Sequence, residues 1–328
     1  MIKGLTFFRR KLKTEVGTIP TAAAAALAIT SVVIGTITAG IVSVWADDFF
    51  GTSGPDTLVG TDNDDNIFGE EGSDNLSGEG GDDYIDGHAG NDEISDGLGS
   101  DIILAGSGRD NIEIEGTGED EGEEEGEDGI DEVHGGGDRD VINGLDSVGF
   151  LLIFGEDGND NIQTGGDNNG RMYGGDGSDF ISSCCDANYD VWGGAGNDEI
   201  QGSSECAIDR AFGGSGNDRI SSPSDFTRGG SGNDVIEFAD CGGVAYGDDG
   251  NDELRGGDSA VELHGGSNDD ILQGSGSGDL DQLFGDDGND TLTGGEGATS
   301  FSCGPGIDTI TNFDAAKGDT RTADCENF

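Results

Sequence analysis

The amino-acid sequence predicts an all-β fold, a parallel β-roll or β-solenoid, preceded by an N-terminal hydrophobic helix. Two observations predict the roll. From Gly51 the chain repeats with a period of nine residues, and the repeats carry aspartate at position six and an apolar residue at position eight. Glycine supplies 65 of the 328 residues and recurs at the start of the repeats. A fixed short period is typical of a solenoid, in which neighbouring repeats stack.

The chemistry of one repeat indicates how the chain folds. Glycines at its start permit turns with positive φ, and the residues that follow form a short strand with one apolar side chain pointing inward. One repeat is therefore half a coil. Two repeats close a coil of eighteen residues, and stacked coils pair their strands in parallel around a narrow core of position-eight side chains.

The composition indicates that this fold needs cations. The chain contains 70 Asp or Glu and only 14 Lys or Arg, so its formal charge is −56, while hydrophobic residues make up 32%. Such a chain is expected to be disordered unless multivalent cations neutralise it. The same charge disfavours nucleic acid as a partner, because phosphate contacts require Lys and Arg.

The aspartates at position six are the candidate metal ligands. In the first block, residues 47–113, pairing of every second repeat separates them into two rows of turns. The first edge is the row that contains Asp56, Asp74, Asp92 and Asp110, and the second edge is the row that contains Asp65, Asp83 and Asp101.

In the second block, residues 131–310, the strong turns recur once every sixteen to twenty residues, with one per coil. Their aspartates are Asp140, Asp160, Asp179, Asp198, Asp218, Asp234, Asp252, Asp270, Asp290 and Asp308. The intervening half-coils lack the glycine turn. An acidic insert, residues 114–130, separates the two blocks and is predicted to be a solvated, flexible loop. The alternative is a low-affinity site for a cation or a partner.

The best copies of the repeat are GGAGNDEI at Gly193, GGSGNDRI at Gly213 and GGSGNDVI at Gly229. They resemble the hemolysin-type, or RTX, calcium-binding repeat GGxGxDxUx, in which U is apolar, and the resemblance extends over roughly residues 51–310. It implies Ca²⁺ between consecutive turns of one edge, bound by position-six carboxylates and turn carbonyls. Hard oxygen ligands without thiolate or imidazole agree with Ca²⁺ chemistry. We therefore expect calcium on both edges of the first block and on one edge of the second.

The two ends of the chain carry different signals. Residues 1–46 combine a basic start with an apolar run from Ile19 to Trp45, which predicts either a signal peptide cleaved before Asp47 or a retained membrane anchor. Either predicts export to the cell surface or the extracellular space. The last segment, residues 311–328, is predicted to cap the roll. Residues 308–319, with Asp308, Ile310, Phe313 and Asp319, resemble the closing motif DxIxxFxxxxGD of such β-rolls.

Six cysteines in an exported chain favour disulfides. A Cys303–Cys325 bridge is predicted to close the cap. The other four, Cys184, Cys185, Cys206 and Cys241, fall in the degenerate half-coils, where disulfides could replace the missing calcium. The sequence leaves their pairing open.

Large planar side chains precede the strong turns of the second block. The candidate ladder consists of Phe154, Tyr173, Trp192, Phe212, Tyr246 and Phe284, with Arg228, His134 and His264 at equivalent positions. Because position eight points inward, position nine should point outward, and the rings should form a partly exposed column. Two interpretations stay open: the column keeps the coils in register, or it binds a glycan or a partner surface.

The function predicted from these features is that of a secreted calcium-binding β-roll that folds on binding Ca²⁺ and has a structural or adhesive role. No HExxH, GxSxG or P-loop motif occurs, so we predict that the chain is not an enzyme. The first alternative is a module that binds a cell-surface polysaccharide or an envelope protein through the ladder. A Ca²⁺-dependent polysaccharide-modifying enzyme is a third hypothesis. A membrane contact is expected only through residues 1–46, if they are retained.

Overall fold

A computed structural model describes residues 47–115, 130–145, 149–165, 169–184, 188–203, 208–221, 223, 225–239, 241–325 and 327. The hydrophobic helix predicted over residues 1–46 lies outside this range, as do residues 116–129 of the acidic insert. Within the described part of the chain, no helix is long and apolar enough to cross a membrane.

The described residues form two parallel β-sheets that the chain visits alternately. The first sheet contains β1 (Asp48–Phe50), β3 (Asn66–Phe68), β5 (Tyr84–Asp86), β7 (Ile102–Ser107), β9 (Ile130–Gly137), β11 (Phe150–Asp157), β13 (Asn169–Asp176), β15 (Asn188–Ala195), β17 (Ile208–Ser215), β19 (Phe226–Ser231), β21 (Gly243–Asp249), β23 (Val261–Ser267), β25 (Asp281–Asp287), β27 (Thr299–Ser302) and β29 (Thr320–Arg321). The second sheet contains β2 (Thr57–Val59), β4 (Asn75–Ser77), β6 (Glu93–Ser95), β8 (Asn111–Glu113), β10 (Val141–Gly144), β12 (Asn161–Thr164), β14 (Phe180–Ser183), β16 (Glu199–Gln201), β18 (Arg219–Ser221), β20 (Val235–Glu237), β22 (Glu253–Arg255), β24 (Ile271–Gln273), β26 (Thr291–Thr293) and β28 (Thr309–Thr311).

Strand pairing confirms the predicted β-solenoid. Each strand pairs in parallel with the strand two positions later in the chain, so that Leu58 lies opposite Leu76. The pairing continues across the insert, where Ile112 lies opposite Ile142. The insert therefore lengthens one coil without interrupting either sheet.

The core is a narrow stack of apolar side chains between the two sheets. Position-eight residues from Ile67 to Ile310 are buried, including Ile162, Ile200 and Leu254. Such a core is narrow, because each coil contributes only about two large apolar side chains. Its burial alone offsets little of the ordering entropy of an eighteen-residue coil, at roughly 1 to 2 kcal/mol per residue.

The turns depend on glycine where coils approach most closely. At position four, Gly196 has φ +135°, and a Cβ on it would lie 1.4 Å from the carbonyl oxygen of Gly177 in the preceding coil. Position two also has positive φ, but several repeats place a carboxylate residue there, such as Glu70, Glu156 and Asp286. These residues adopt the left-handed conformation that normally favours glycine.

The C-terminal segment adds a last strand and a disulfide at the end of the roll. Cys303 and Cys325 form a disulfide. The Asp319 carboxylate accepts hydrogen bonds from the backbone N–H groups of Thr299 (2.9 Å) and Asp314 (2.7 Å). Strand β29 then pairs with β27, which covers an open strand end that could otherwise pair with another chain. Among the remaining cysteines, Cys241 is also disulfide-bonded, whereas Cys185 and Cys206 lie outside the described residues.

Candidate metal sites along two edges

Every position-six aspartate of the first edge is linked to its neighbours by the same hydrogen bond. The N–H of Asp179 donates to Oδ1 of Asp198 at 2.9 Å, and the N–H of Asp198 donates to Oδ1 of Asp218 at 2.9 Å. This series runs without a break from Asp56 to Asp308. The carboxylates therefore form one continuous column along this edge. From Asp74 onward, Oδ1 of each accepts a hydrogen bond from a backbone N–H of the preceding coil.

The second carboxylate oxygen is buried and has no hydrogen-bond partner among the described residues. This holds for Oδ2 of Asp74, Asp83, Asp92, Asp101, Asp110, Asp140, Asp160, Asp179, Asp198, Asp218, Asp234, Asp252, Asp270 and Asp290. A buried charged oxygen without a partner costs several kcal/mol. Such an oxygen recurs in turn after turn, in the kind of position that a bound cation would fill.

In the first turn of each edge, unlike in the turns with an unpartnered Oδ2, this carboxylate oxygen accepts hydrogen bonds. Oδ2 of Asp56 accepts hydrogen bonds from the N–H and the hydroxyl of Thr52, and Oδ2 of Asp65 accepts the same pair from Thr61 at 2.7 and 2.9 Å. Threonine at position two thus satisfies the carboxylate at the end of the roll. At the other end, Oδ1 of Asp308 accepts the N–H of Asp290.

The residues present fit Ca²⁺. A Cβ on Gly155 would lie 2.4 Å from the carbonyl oxygen of Gly174 and 2.6 Å from Oδ2 of Asp160, so both oxygens converge beside one glycine. Gly193 shows the same arrangement, with the carbonyl oxygen of Gly213 and Oδ2 of Asp198. A carboxylate oxygen beside main-chain carbonyl oxygens is a donor set that Ca²⁺ prefers.

Burial raises the pKa values of several position-six carboxyl groups, among them Asp83 and Asp270. For Asp270, desolvation outweighs the hydrogen bond from Asp252, and with the nearby charges of Asp252 and Asp290 it raises the pKa to about 8. For Asp83, desolvation again dominates over the hydrogen bond from Asp65, and the pKa is about 7. Without a cation, Asp83 and Asp270 are therefore at least partly protonated near neutral pH.

The first part of the second edge carries an unbroken series of position-six aspartates. The N–H of Asp83 donates to Oδ1 of Asp101 at 2.7 Å, and the N–H of Asp101 donates to Oδ1 of Asp131 at 3.1 Å. Sequence analysis missed Asp131, although it lies nine residues before Asp140, because it directly follows the acidic insert, which is predicted to be a loop. The matching position then changes to Leu151, Gly170 and Tyr189.

The side chains of Leu151 and Tyr189 are fully buried. Apolar packing therefore occupies this edge where the aspartates end. That placement agrees with calcium on only one edge of the second block, which stays a prediction.

The family model for the RTX calcium-binding nonapeptide repeat, in four copies, matches residues 50–85, 77–112, 125–147, 190–204, 207–222, 246–280 and 275–310. These matches cover more than half of the chain. The chain belongs to this RTX repeat family. No curated protein matches the chain at a significant level of sequence similarity.

The RTX geometry extends beyond the matched residues. Asp160, Asp179 and Asp234 lie outside the matches. Their Oδ1 atoms nevertheless accept the same backbone hydrogen bond, at 2.8 Å from the N–H groups of Asp140 and Asp160 and at 2.7 Å from that of Asp218. The first edge of the RTX roll is therefore continuous through the coils whose sequences have diverged most.

The ladder residues form a column on the outer face of the first sheet. Phe154, Tyr173, Trp192 and Phe212 stack with ring centroids 4.9, 4.6 and 5.4 Å apart. His264 stacks between Tyr246 (4.5 Å) and Phe284 (4.3 Å), and His134 stacks on Phe154 at 4.7 Å. All of these rings are half-buried, so each leaves part of its surface open to solvent.

The column changes at the shortest coil. There Arg228 occupies position nine and lies 5.2 Å from the centroid of the Tyr246 ring. Phe226, at position seven, lies between Phe212 (5.9 Å) and Tyr246 (5.7 Å) with tilted rings. Sequence analysis missed Phe226, because its position in the repeat differs from that of the other rings.

The pKa shifts predict that acid folds the calcium-free RTX roll. A carboxyl group whose pKa is raised in the folded state stabilises that state below its unfolded pKa of 3.8, and this stabilisation is lost as the pH rises through the folded pKa. A calcium-stripped chain should therefore show β-sheet circular dichroism near pH 4 and lose it between about pH 6 and pH 8, the range of the raised pKa values of Asp101, Asp83 and Asp270. Absence of β structure across this range, with light scattering showing a monodisperse sample, would contradict the prediction.

Proposed function

We propose that the chain is an exported calcium-binding β-roll that folds when Ca²⁺ neutralises its aspartates, and that it has a structural or adhesive role at the cell surface. The observation that carries the proposal is the column of buried Oδ2 atoms without hydrogen-bond partners along the first edge. The basic and apolar start of the chain supports export.

Folding coupled to binding follows from the energetics of this column. Each buried carboxylate destabilises the calcium-free folded state, and neighbouring carboxylates repel one another along the edge. An ion that binds only the folded state stabilises it by about 2.7 kcal/mol when its concentration is 100 times its dissociation constant. Several such sites together are sufficient to convert a self-repelling chain into an ordered one.

A structural role agrees with the two outer faces. The second sheet presents a row of mostly polar residues, Gln163, Ser182, Gln201, Ser221, Glu237, Arg255, Gln273 and Thr293, in continuous register. Such a face stays hydrated, whereas the first sheet offers the aromatic column. The proposed role is non-enzymatic.

The proposal is tested by following the full chain in a bacterial host. We expect the chain outside the cytoplasm, resistant to protease in millimolar Ca²⁺ and degraded after a calcium chelator is added. Cells that expose it should adhere to one another in Ca²⁺ and separate in chelator. A protease-resistant chain inside the cytoplasm, or adhesion that persists after the chelator is added, would contradict the proposal.

A second candidate function is favoured by the half-exposed aromatic column, which offers stacking surfaces for an extended neutral polysaccharide. Acidic side chains border the column: Glu132 and Glu156 lie 3.2 and 2.7 Å from the ring nitrogens of His134, and Asp286 lies 3.4 Å from His264. Together with the charge of −56, they disfavour an anionic glycan.

Replacing Tyr173 and Trp192 together by Ala tests this second candidate. If the column binds glycan, the variant should lose binding to neutral polysaccharides on an array while its β-sheet circular dichroism in Ca²⁺ is retained. If the column only keeps the coils in register, the variant should instead lose stability, at about 0.5 to 1.5 kcal/mol per stacked pair beyond the lost burial. Replacing Gln163 and Gln201 on the opposite sheet by Ala is the matched control, and it should change neither property.

A further inference from the structure

One turn of the second edge breaks the pattern of the repeat. Position one is glycine in the two preceding turns of this edge, Gly60 and Gly78, whereas the third turn carries Asp96. This aspartate is fully buried. Carboxylate oxygens of Asp96, Asp101 and Asp131 all lie within 4.8 Å of one another. A third carboxylate thus joins the two that the edge already supplies.

The hydrogen bonds of this cluster leave two of its buried carboxylate oxygens without a donor among the described residues. Oδ1 of Asp96 accepts the N–H groups of Gly97 and Glu115, each at 2.7 Å. Oδ2 of Asp96 and Oδ2 of Asp101 are buried and have no hydrogen-bond partner among the described residues. No Lys, Arg or His of the described chain forms an ion pair with any of the three carboxylates.

The cluster also joins both ends of the acidic insert. Glu115, which donates its N–H to Asp96, lies at the start of the insert, and Asp131 lies in β9 immediately after the insert. In the sequence the insert stands between β8 and β9, whereas Asp96 and Asp101 belong to the turn between β6 and β7. The close approach of Asp96, Asp101 and Asp131 therefore depends on how three buried carboxylates are neutralised.

We propose that Asp96, Asp101 and Asp131 form a dedicated divalent-cation site, of the Ca²⁺ type, that fastens both ends of the acidic insert to the roll. Three carboxylates and no nitrogen or sulfur ligand suit a hard cation. The site differs from the repeated ones because position one contributes a charged ligand, so it should bind Ca²⁺ more tightly than they do. The inference concerns a single turn and does not depend on an adhesive role.

The alternative is that the cluster holds protons in place of a metal ion. A neutral Asp96 carboxyl group could donate a hydrogen bond to Asp101 or Asp131, and the turn would then need no cation. The two states differ in the expected effect of replacing Asp96. If the cluster binds an ion, the replacement removes that ion, and if the cluster holds protons, the replacement leaves ion binding unchanged.

The test compares the full chain with the variants Asp96→Gly and Asp96→Asn. Asp96→Gly restores the residue found at Gly78 and keeps the backbone of the turn, while Asp96→Asn keeps the size of the side chain and removes its charge. Each protein is dialysed against Ca²⁺ buffers of decreasing free concentration, and retained calcium is measured by mass spectrometry of the metal. We expect the wild-type chain to keep about one ion per chain under conditions in which both variants keep none, with binding at least roughly tenfold weaker in the variants.

Asp281→Asn is the matched control. Asp281 is buried at position six of the same edge, and its two oxygens already accept hydrogen bonds from the Ser275 hydroxyl (2.8 Å) and the Ser275 N–H (2.9 Å). This variant should retain the tightly held ion. Circular dichroism in millimolar Ca²⁺ confirms that every variant is folded.

Equal calcium retention by the wild-type chain and both Asp96 variants would overturn the inference and assign protons to the cluster. This outcome is separate from failure of the proposed function. A chain that folds without Ca²⁺ but loses one tight ion in the Asp96 variants would refute calcium-driven folding and still support the site.

Discussion

Replacing Asp198 by Asn is expected to have opposite effects with and without calcium. In millimolar Ca²⁺ the variant should be less stable than the wild-type chain by about 2 to 3 kcal/mol, because a neutral amide cannot replace the charged ligand of a bound ion. In chelator at neutral pH it should be more stable, since the substitution removes a buried carboxylate whose pKa desolvation raises to about 7. The amide oxygen can still accept the N–H of Asp179 that now binds Oδ1.

Denaturant midpoints of both proteins in Ca²⁺ test the loss of stability, and the residual β-sheet circular dichroism in chelator at neutral pH tests the gain. In chelator near pH 4 the Asp198 carboxyl is protonated and resembles the amide, so the two proteins should there have similar midpoints. Asp281→Asn is the control, because the Ser275 hydrogen bonds already satisfy both of its oxygens. A shift of the same sign and size in Ca²⁺ and in its absence would show that Asp198 contributes only hydrogen bonding, and the calcium assignment at this turn would be wrong.

Replacing Gly196 by Ala is expected to unfold several coils around the substitution. A Cβ at this position would lie 1.4 Å from the Gly177 carbonyl oxygen, and the backbone φ of +135° is one that alanine rarely adopts. Strain of this kind costs on the order of 3 kcal/mol. The effect should spread to neighbouring coils, because each coil of a solenoid is stabilised mainly by the coils that contact it.

Gly137→Ala is the matched control within the same kind of turn. A Cβ on Gly137 would have no heavy atom within 4 Å, and its φ lies outside the left-handed region. That variant should be as stable as the wild-type chain, or more stable by about 0.4 to 1 kcal/mol. Protease sensitivity and denaturant midpoints in Ca²⁺ compare the two variants. Equal stability of both would contradict the close stacking of the turns.

The sequence predicts the fold well because the repeat is local. A nine-residue period with an apolar residue at position eight determines which residues pair and which face inward, as the pairing of Leu58 with Leu76 shows. The disulfide of the cap was also predicted and is confirmed. Each of these features depends only on spacing along the chain, which a sequence displays directly.

Other features depend on contacts between coils and were not predicted. Thr52 satisfies Asp56 only because the turn folds the two residues together. Asp131 joins the second edge only because the sheet continues across the insert. Leu151 and Tyr189 occupy aspartate positions of that edge, but their spacing had diverged too far from nine residues to reveal the register. Such substitutions become visible when strand pairing aligns the coils.

The positive φ of acidic residues at position two was also missed. Glu156 and Asp286 have φ values of 72° and 66°, in a region where glycine is the usual choice. Their side chains approach the histidines of the aromatic column, with Glu156 at 2.7 Å from His134. Periodicity alone shows an acidic residue in a turn. The contact with a ring of the preceding coil requires the three-dimensional register.

The most direct test of the central claim is far-UV circular dichroism of residues 47–328, stripped of metal at neutral pH and titrated in parallel with Ca²⁺ and Mg²⁺. We expect a cooperative change from coil to β-sheet in Ca²⁺ and none at equal concentrations of Mg²⁺, because Mg²⁺ requires a stricter octahedral geometry and gives up its water reluctantly. Complete β-sheet structure before any metal is added would contradict calcium-driven folding, and the disulfides and the aromatic column would then have to stabilise the roll.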